Sequence, residues 1–85
     1  MRVIIPTPLR SYTGRREVDA NGPTLGALLA DLDRQYPGIR FRMIDEQDRM
    51  RPHVRFFVDG TAVLDLAHPL GSDSRVIIVP ALSGG

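Results

Sequence analysis

The chain ends in Gly84-Gly85, and these are the residues whose types and position best suit chemistry. Glycine has no Cβ, so a Gly-Gly end can enter a narrow slot and leaves the carbonyl carbon of Gly85 unshielded. A partner enzyme that has to reach and activate a terminal carboxylate would need these residue types. Ser83 and Leu82 precede the pair and complete the tail. The opposing interpretation is a frayed terminus, since most chain ends are poorly ordered.

No other group of side chains in the sequence indicates an active site or a metal site. His53 and His68 have no spacing typical of metal ligands, and the acidic run 45–48 lacks the alternating ligands and central glycine of a calcium loop. The glycines match neither a dinucleotide fingerprint nor a phosphate-binding loop. The absence of cysteine excludes disulfides and thiol nucleophiles. The sequence therefore predicts a protein that is not itself an enzyme and binds no metal or cofactor.

Composition limits the classes of partner. The chain has 85 residues, which is the size of one domain, and its 11 basic residues are all arginine against 10 acidic ones, a net charge of +1. Arginines between residues 40 and 55 alternate with Phe41 and Phe56, a pattern that could stack on and neutralise nucleic acid. Because the overall charge is nearly balanced, an acidic face of a protein partner is the favoured interpretation. No secretory signal opens the chain and no apolar run approaches the ~20 residues of a membrane helix. We therefore expect a cytoplasmic monomer without membrane contact.

One main helix positions the rest of the chain. Thr24 is a predicted N-cap, and the apolar residues after it recur at helical spacing on one face as far as Tyr36. Pro37-Gly38 predicts the end of the helix. Five short segments predict strands, at 2–5, 15–20, 54–59, 61–64 and 75–80. Residues 7–14 read as a connection with turn chemistry, and residues 39–51 as a helical turn followed by a solvated loop. This order predicts an α+β domain with one helix on one sheet.

Strand alternation predicts an apolar surface on the side of the sheet that the helix does not cover. Successive side chains of a strand point to opposite faces. If Val76 and Ile78 face the helix, the side chains on the other face are Ile4, Phe57, Ile77 and Val79. A clustered apolar patch of this kind usually marks a partner site. The alternative is that residues 39–51 fold over the patch.

The sequence resembles the ubiquitin-like sulfur carriers, the family that includes the small subunit of molybdopterin synthase, ThiS and CysO. The specific part is the apolar run 76–79 followed by Pro80-Ala81-Leu82-Ser83-Gly84-Gly85. Supporting matches are the Pro-Thr-x-Leu-Arg opening at 6–10 and the start of the helix at Thr24. The match spans the chain, and its length and opening are most similar to CysO-type cysteine-pathway carriers.

The resemblance implies a β-grasp fold, with a mixed sheet of four to five strands whose first and last strands are central and parallel. Residues 1–85 would form one domain with a flexible tail at 81–85. An activating enzyme resembling ubiquitin E1 would use ATP and Mg²⁺ to adenylate the Gly85 carboxylate and convert it to a thiocarboxylate. A second enzyme would take the sulfur into its product. In a CysO-type system this acceptor enzyme holds an activated serine on pyridoxal phosphate, and a metal-dependent hydrolase later frees cysteine.

Four functions remain open at this point. The first is a sulfur carrier for cysteine or another sulfur-containing metabolite. The second is the small subunit of molybdopterin synthase, which shares the chemistry and differs in its partner. The third is a ubiquitin-like modifier whose tail forms an isopeptide bond with a target lysine. The fourth is a β-grasp binding module in which Gly84-Gly85 has no role.

Overall fold

The computed structural model describes residues 1–80; residues 81–85 lie outside the described part. The described residues form one mixed sheet and two α-helices. Helix α1 is a single turn at Arg10–Thr13, and helix α2 is the main helix at Leu25–Gln35. The five strands are β1 Arg2–Ile4, β2 Glu17–Asp19, β3 Val54–Val58, β4 Thr61–Val63 and β5 Arg75–Pro80.

The last strand lies at the centre of the sheet. The strand order is β2-β1-β5-β3-β4, and β1 pairs with β5 in parallel while the other three pairings are antiparallel. The first and last strands are therefore both interior, which confirms the arrangement implied by the resemblance. Strand β5 is apolar at four consecutive positions, but only Val76 and Ile78 are buried in the core, while Ile77 and Val79 on its other face are half-buried.

Helix α2 closes one face of the sheet. Thr24 is its N-cap, because the Thr24 side chain accepts a hydrogen bond of 3.2 Å from the backbone N–H of Ala27. The four leucines of the predicted helical face are fully buried, and they share one core with the inward side chains of the central strands. These core residues of the strands are Val3, Phe56, Val76 and Ile78.

The segment between β1 and β2 differs from the prediction. Residues predicted as a turn form a 3-10 helix at Thr7–Leu9 that continues into α1. Pro8 lies in the first turn, where the missing N–H costs nothing, and Gly14 ends the helix in the left-handed region at φ 68°. Leu9 and Thr13 are buried, so tertiary packing selects the helical form.

The remaining connections agree with their sequence signals. Asp59 and Gly60 both have positive φ, 49° and 86°, as a two-residue hairpin between β3 and β4 requires. In the 39–51 segment a 3-10 helix at Arg40–Arg42 is followed by a loop. The buried side chains of this segment join the same core as the leucines of α2. The segment therefore packs on the covered side, and the alternative that it folds over the open face is not what the structure shows.

Candidate functional site

The tail begins at the end of the central strand. Pro80 is the last residue of β5 and lies opposite Val54, the first residue of β3. Strand β3 pairs with β5 as far as Pro80, whereas β1 pairs only with its first three residues, so β3 fixes the point from which the tail starts. The four predicted tail residues lie outside the described residues, and their assignment stays a prediction: Leu82, Ser83, Gly84 and Gly85.

The four residues predicted for partner binding lie on the same open face of the sheet. The register places Ile4 beside Ile77 and Ile77 beside Phe57, so three side chains form a row across β1, β5 and β3. Val79 lies two residues further along β5, opposite Arg55. All four are half-buried, while their neighbours along the strands belong to the core except for Pro80, which is exposed. The register thus places these residues on one face, and their role in binding stays a prediction.

Charged residues border this row on the side away from the tail. Arg2 lies beside Arg75 in the register, and the Arg2 guanidinium is 3.2 Å from the Glu17 carboxylate. Asp59 accepts a hydrogen bond of 2.9 Å from the backbone N–H of Arg75. Exposed ion pairs of this kind contribute little stability, so the rim serves mainly to give the open face a polar border.

Two exposed apolar side chains were not among the predicted site residues. Leu64 follows β4 and is 79% exposed, and Phe41 is 56% exposed in the segment before β3. Alternation offered a signal for Leu64, because Val63 faces the core and the next residue points to the open side. Phe41 had only its arginine neighbours as a signal, and these did not specify whether the ring is buried.

The backbone of His68 and the carboxylate of Asp45 both make structural hydrogen bonds. The backbone carbonyl of His68 accepts a 3.0 Å hydrogen bond from the backbone N–H of Leu25, which satisfies the first turn of α2. The backbone N–H of Arg49 holds the pKa of the Asp45 carboxyl below its usual range, assisted by the N–H of Gln47. Within residues 1–80 no three histidine or acidic side chains come together as metal ligands.

Asp31, a carboxylate of α2, accepts a similar hydrogen bond from a backbone N–H. The backbone N–H of Asn21 lowers the pKa of the Asp31 carboxyl, and the side chain of Arg34 adds to this effect. This contact ties the connection before α2 to the helix itself.

Among the described residues, no helix is long and apolar enough to cross a bilayer.

Comparison with known sequences identifies the family. The model of the ThiS family matches residues 3–85. The sulfur carrier protein CysO of Mycobacterium bovis is 38% identical over 89 residues, which covers 98% of this chain and 96% of the relative. CysO of Mycobacterium tuberculosis strain H37Rv has the same identity and coverage.

Solved structures agree with the sequence comparison. The crystal structure of Mycobacterium tuberculosis CysO has a TM-score of 0.90 at 36% identity, covering 95% of this chain and 98% of that one. A chain of the Amycolatopsis orientalis BexX/CysO complex also has a TM-score of 0.90, at 28% identity, covering 99% and 98%. The SAMP1 protein of Haloferax volcanii, at 24% identity with a TM-score of 0.79 over 100% and 98% of the two chains, shares the fold. The chain therefore belongs to the ThiS family, has the β-grasp fold, and is a homologue of the sulfur carrier protein CysO.

Proposed function

We propose that Gly85 carries sulfur as a C-terminal thiocarboxylate for the biosynthesis of cysteine or another sulfur-containing metabolite. The observation that carries this proposal is the family match over residues 3–85, which includes Gly84-Gly85. The identity of 38% to CysO over nearly the whole chain favours a cysteine pathway. The protein acts as a co-substrate of partner enzymes and performs no catalysis of its own.

The chemistry at Gly85 takes two steps. The carboxylate oxygen attacks the α-phosphorus of ATP, which forms an acyl adenylate and releases pyrophosphate. A hydrosulfide equivalent then attacks the carbonyl carbon and AMP leaves, so that one oxygen of the original carboxylate is replaced by sulfur. Adenylation is needed because a carboxylate is a poor electrophile. The glycine at this position keeps the carbonyl carbon open to attack, since it has no side chain.

The thiocarboxylate sulfur then attacks an electrophile held by a second enzyme. In a cysteine pathway the electrophile is the β-carbon of an activated serine, whose activated hydroxyl group leaves as the C–S bond forms. Hydrolysis of the acyl bond to the new cysteine then returns the Gly85 carboxylate. We assign ATP and Mg²⁺ to the activating enzyme, pyridoxal phosphate to the acceptor enzyme and the hydrolytic step to a third protein. Carrying the sulfur on a chain end keeps it attached to the protein between these enzymes.

The open face docks the activating enzyme in this proposal. Ile4, Phe57 and Ile77 form a continuous apolar row, and Val79 extends it toward the point where the tail begins. These side chains are half-buried without a cover from any described element. A partner that binds there holds β5 in a fixed orientation, so the tail enters its active site from a defined point.

The experiment is ATP–pyrophosphate exchange catalysed by the adenylating enzyme of the same organism. The full chain should support exchange. A chain lacking Gly85 should support none, although its amide NMR spectrum over residues 1–80 should be unchanged. A matched chain with Ser83→Ala should retain exchange, because it keeps the terminal glycines. Full exchange without Gly85 would overturn the proposal.

A further inference from the structure

A second surface lies next to the start of the tail. Phe41, Arg42, Arg51 and His53 line a shallow depression of about 230 Å³, which we call the basic cleft. It continues into a smaller groove of about 90 Å³ that shares Arg42 and His53. The other six residues of the groove are apolar. They come from the segment after β1 and from the ends of β3 and β5: Pro6, Pro8, Leu9, Val54, Val79 and Pro80.

The arginines around the basic cleft differ from their neighbours in charge balance. Arg40 is paired with Asp48 at 3.0 Å and Arg49 with Asp45 at 3.8 Å, so carboxylates of the chain offset both charges. Within residues 1–80, no carboxylate forms an ion pair with Arg42, Arg51 or the nearby Arg55. Arg42 and Arg51 therefore form no ion pair among the described residues and can pair with an anionic ligand, although Arg51 is close enough to Asp45 to help lower the pKa of that carboxyl.

Backbone carbonyls and a ring orient two of these unpaired arginines. The Arg51 Nε donates to the Phe41 carbonyl oxygen at 2.7 Å, and the guanidinium lies 4.5 Å from the centroid of the Phe41 ring. Arg55 donates to the carbonyl oxygens of Pro52 and Val54, each at 3.0 Å. Carbonyls and an aromatic face orient a guanidinium without neutralising its charge. The side chain therefore loses less conformational entropy when an anion binds.

The loop that connects Arg42 to Arg51 is held by packing and hydrogen bonds. Met43 and Ile44 are fully buried on either side of its start, and Ile44 forms an isolated β-bridge with Met50. The backbone N–H of Arg51 donates to the Met43 carbonyl oxygen at 2.9 Å. The Asp45 carboxylate accepts from two backbone N–H groups within the loop, both at 2.9 Å. These contacts fix the backbone that carries Arg51 beside Phe41.

We propose that the basic cleft binds an acidic segment of the partner protein whose active site receives the tail. This inference rests on the proposed function, because it assumes that the tail enters a partner. Pro80 lines the groove, and the five residues after it span at most about 18 Å when fully extended. An active site that takes Gly85 must therefore lie against this end of the molecule, where its rim meets the cleft.

The chemistry of the cleft specifies carboxylates on that rim. Aspartate and glutamate side chains form bidentate contacts with guanidinium groups, and an apolar residue beside them can pack on Phe41. A net charge of +1 gives no long-range attraction for nucleic acid, so the surface suits a short acidic peptide segment rather than a phosphate backbone. The open face and the basic cleft would then hold the partner on two sides of β5.

The first test titrates the chain with a hexapeptide of alternating glutamate and leucine. Binding is monitored through the NMR signals of the arginine side-chain Nε–H groups. We expect saturable shifts at Arg42 and Arg51 that weaken as salt is added, and no shifts with the matched glutamine peptide. The double variant R42Q/R51Q should weaken peptide binding about tenfold, the effect of losing about 1.4 kcal/mol. The matched variant R75Q, at the opposite end of β5 from the tail, should bind as the parent does.

Three results of this titration would overturn the proposal. The first is unchanged peptide binding by R42Q/R51Q when its melting temperature equals that of the parent chain. The second is a shift of the same arginine signals on deletion of residues 81–85 without peptide, which would make the tail itself the occupant. The third is a shift that depends on protein concentration, which would make a second copy the occupant.

A second measurement separates this inference from the proposed function. In pyrophosphate exchange, R42Q/R51Q should raise the KM for the chain several-fold while kcat is unchanged, since the cleft touches no reacting atom. If the parent chain supports exchange and the variant matches it in KM, the cleft inference fails and the carrier function stands. If the parent chain gives no exchange, the proposed function fails, and the peptide titration still decides whether the cleft binds carboxylates.

Discussion

The two faces of the central strands use the same kinds of side chain for different ends. Phe56 and Phe57 are adjacent in β3, yet Phe56 is 1% exposed in the core while Phe57 is half-buried on the open face. Ile78 and Ile77 repeat the contrast in β5. The difference is set by what lies above each face, because α2 and the 39–51 segment both pack on one side.

This contrast separates stability from docking within one strand. A residue under the helix loses its water on folding and contributes fully to stability. A residue on the open face loses only part of its water on folding, and the rest is available when a partner binds. The chain can therefore vary its open face for recognition at small cost to the fold.

The largest expected effect is the difference in stability between alanine variants of Phe56 and Phe57. Phe56→Ala should lower the free energy of unfolding by about 3–5 kcal/mol, since it leaves a cavity in the core. Phe57→Ala should lower it by about 1–2 kcal/mol, because that ring is covered only by its neighbours in the sheet. Urea unfolding of both variants measures the difference. Equal losses would show that the two faces are not distinct in packing.

The isoleucines of β5 test the other half of the contrast. Ile77→Thr keeps a β-branched side chain and removes apolar surface, so we expect the Kd for the activating enzyme to rise about five- to tenfold, a loss of roughly 1 kcal/mol. Its melting temperature should stay within a few degrees of the parent. The matched change Ile78→Thr should instead lower stability, because it buries a hydroxyl in the core. An unfolded Ile77→Thr chain would mean that the open face is core.

A smaller effect is expected at the helix that covers one face. Thr24→Ala removes the cap of α2 and should cost about 1 kcal/mol of stability. Thermal melts measure this loss, and Ser72→Ala in an exposed loop is the control. Binding of the activating enzyme to the folded Thr24→Ala chain should match the parent, since the cap lies on the covered side. Weaker binding with unchanged stability would contradict the division between the faces.

The smallest effect concerns pH and the loop beneath the basic cleft. The pKa of Asp45 is lower in the folded chain than its ordinary value of 3.8, chiefly because its carboxylate accepts from the N–H of Arg49. Its contribution is therefore present above about pH 4 and is lost as pH falls through the lower folded value. Asp45→Asn should flatten the decline in stability between pH 5 and pH 3 in acid titrations. An equally steep decline in Asp45→Asn would contradict the assignment.

Sequence patterns specified the features that depend on local spacing. The leucines of α2, the Thr24 cap and the Asp59-Gly60 turn each follow from residues within a few positions of one another. Alternation likewise placed Ile4, Phe57 and Ile77 on one face before their pairing was known. These features could be predicted because period 2, period 3.6 and positive φ are set by the chain itself.

Features that depend on distant contacts could not be predicted in this way. Burial of Leu9 and Thr13 selects the helical form of residues 7–13, because Pro8 and Gly14 suit a helix and a turn equally. The basic cleft depends on Arg51 reaching back ten residues to the Phe41 carbonyl. Sequence showed arginines beside aromatic residues, but only the fold shows which of them lack a carboxylate partner.

The central claim is that sulfur is carried at Gly85, and intact mass of the chain from its own cells tests it most directly. Cells should be lysed in an alkylating agent, which traps a thiocarboxylate before it hydrolyses. Because the chain has no cysteine, an alkyl group on it reports the terminal sulfur. We expect a species with one oxygen exchanged for sulfur and one alkyl group, both mapped to Gly85. Recovery of the chain only as the free acid, or joined to lysines of other proteins, would contradict the carrier function.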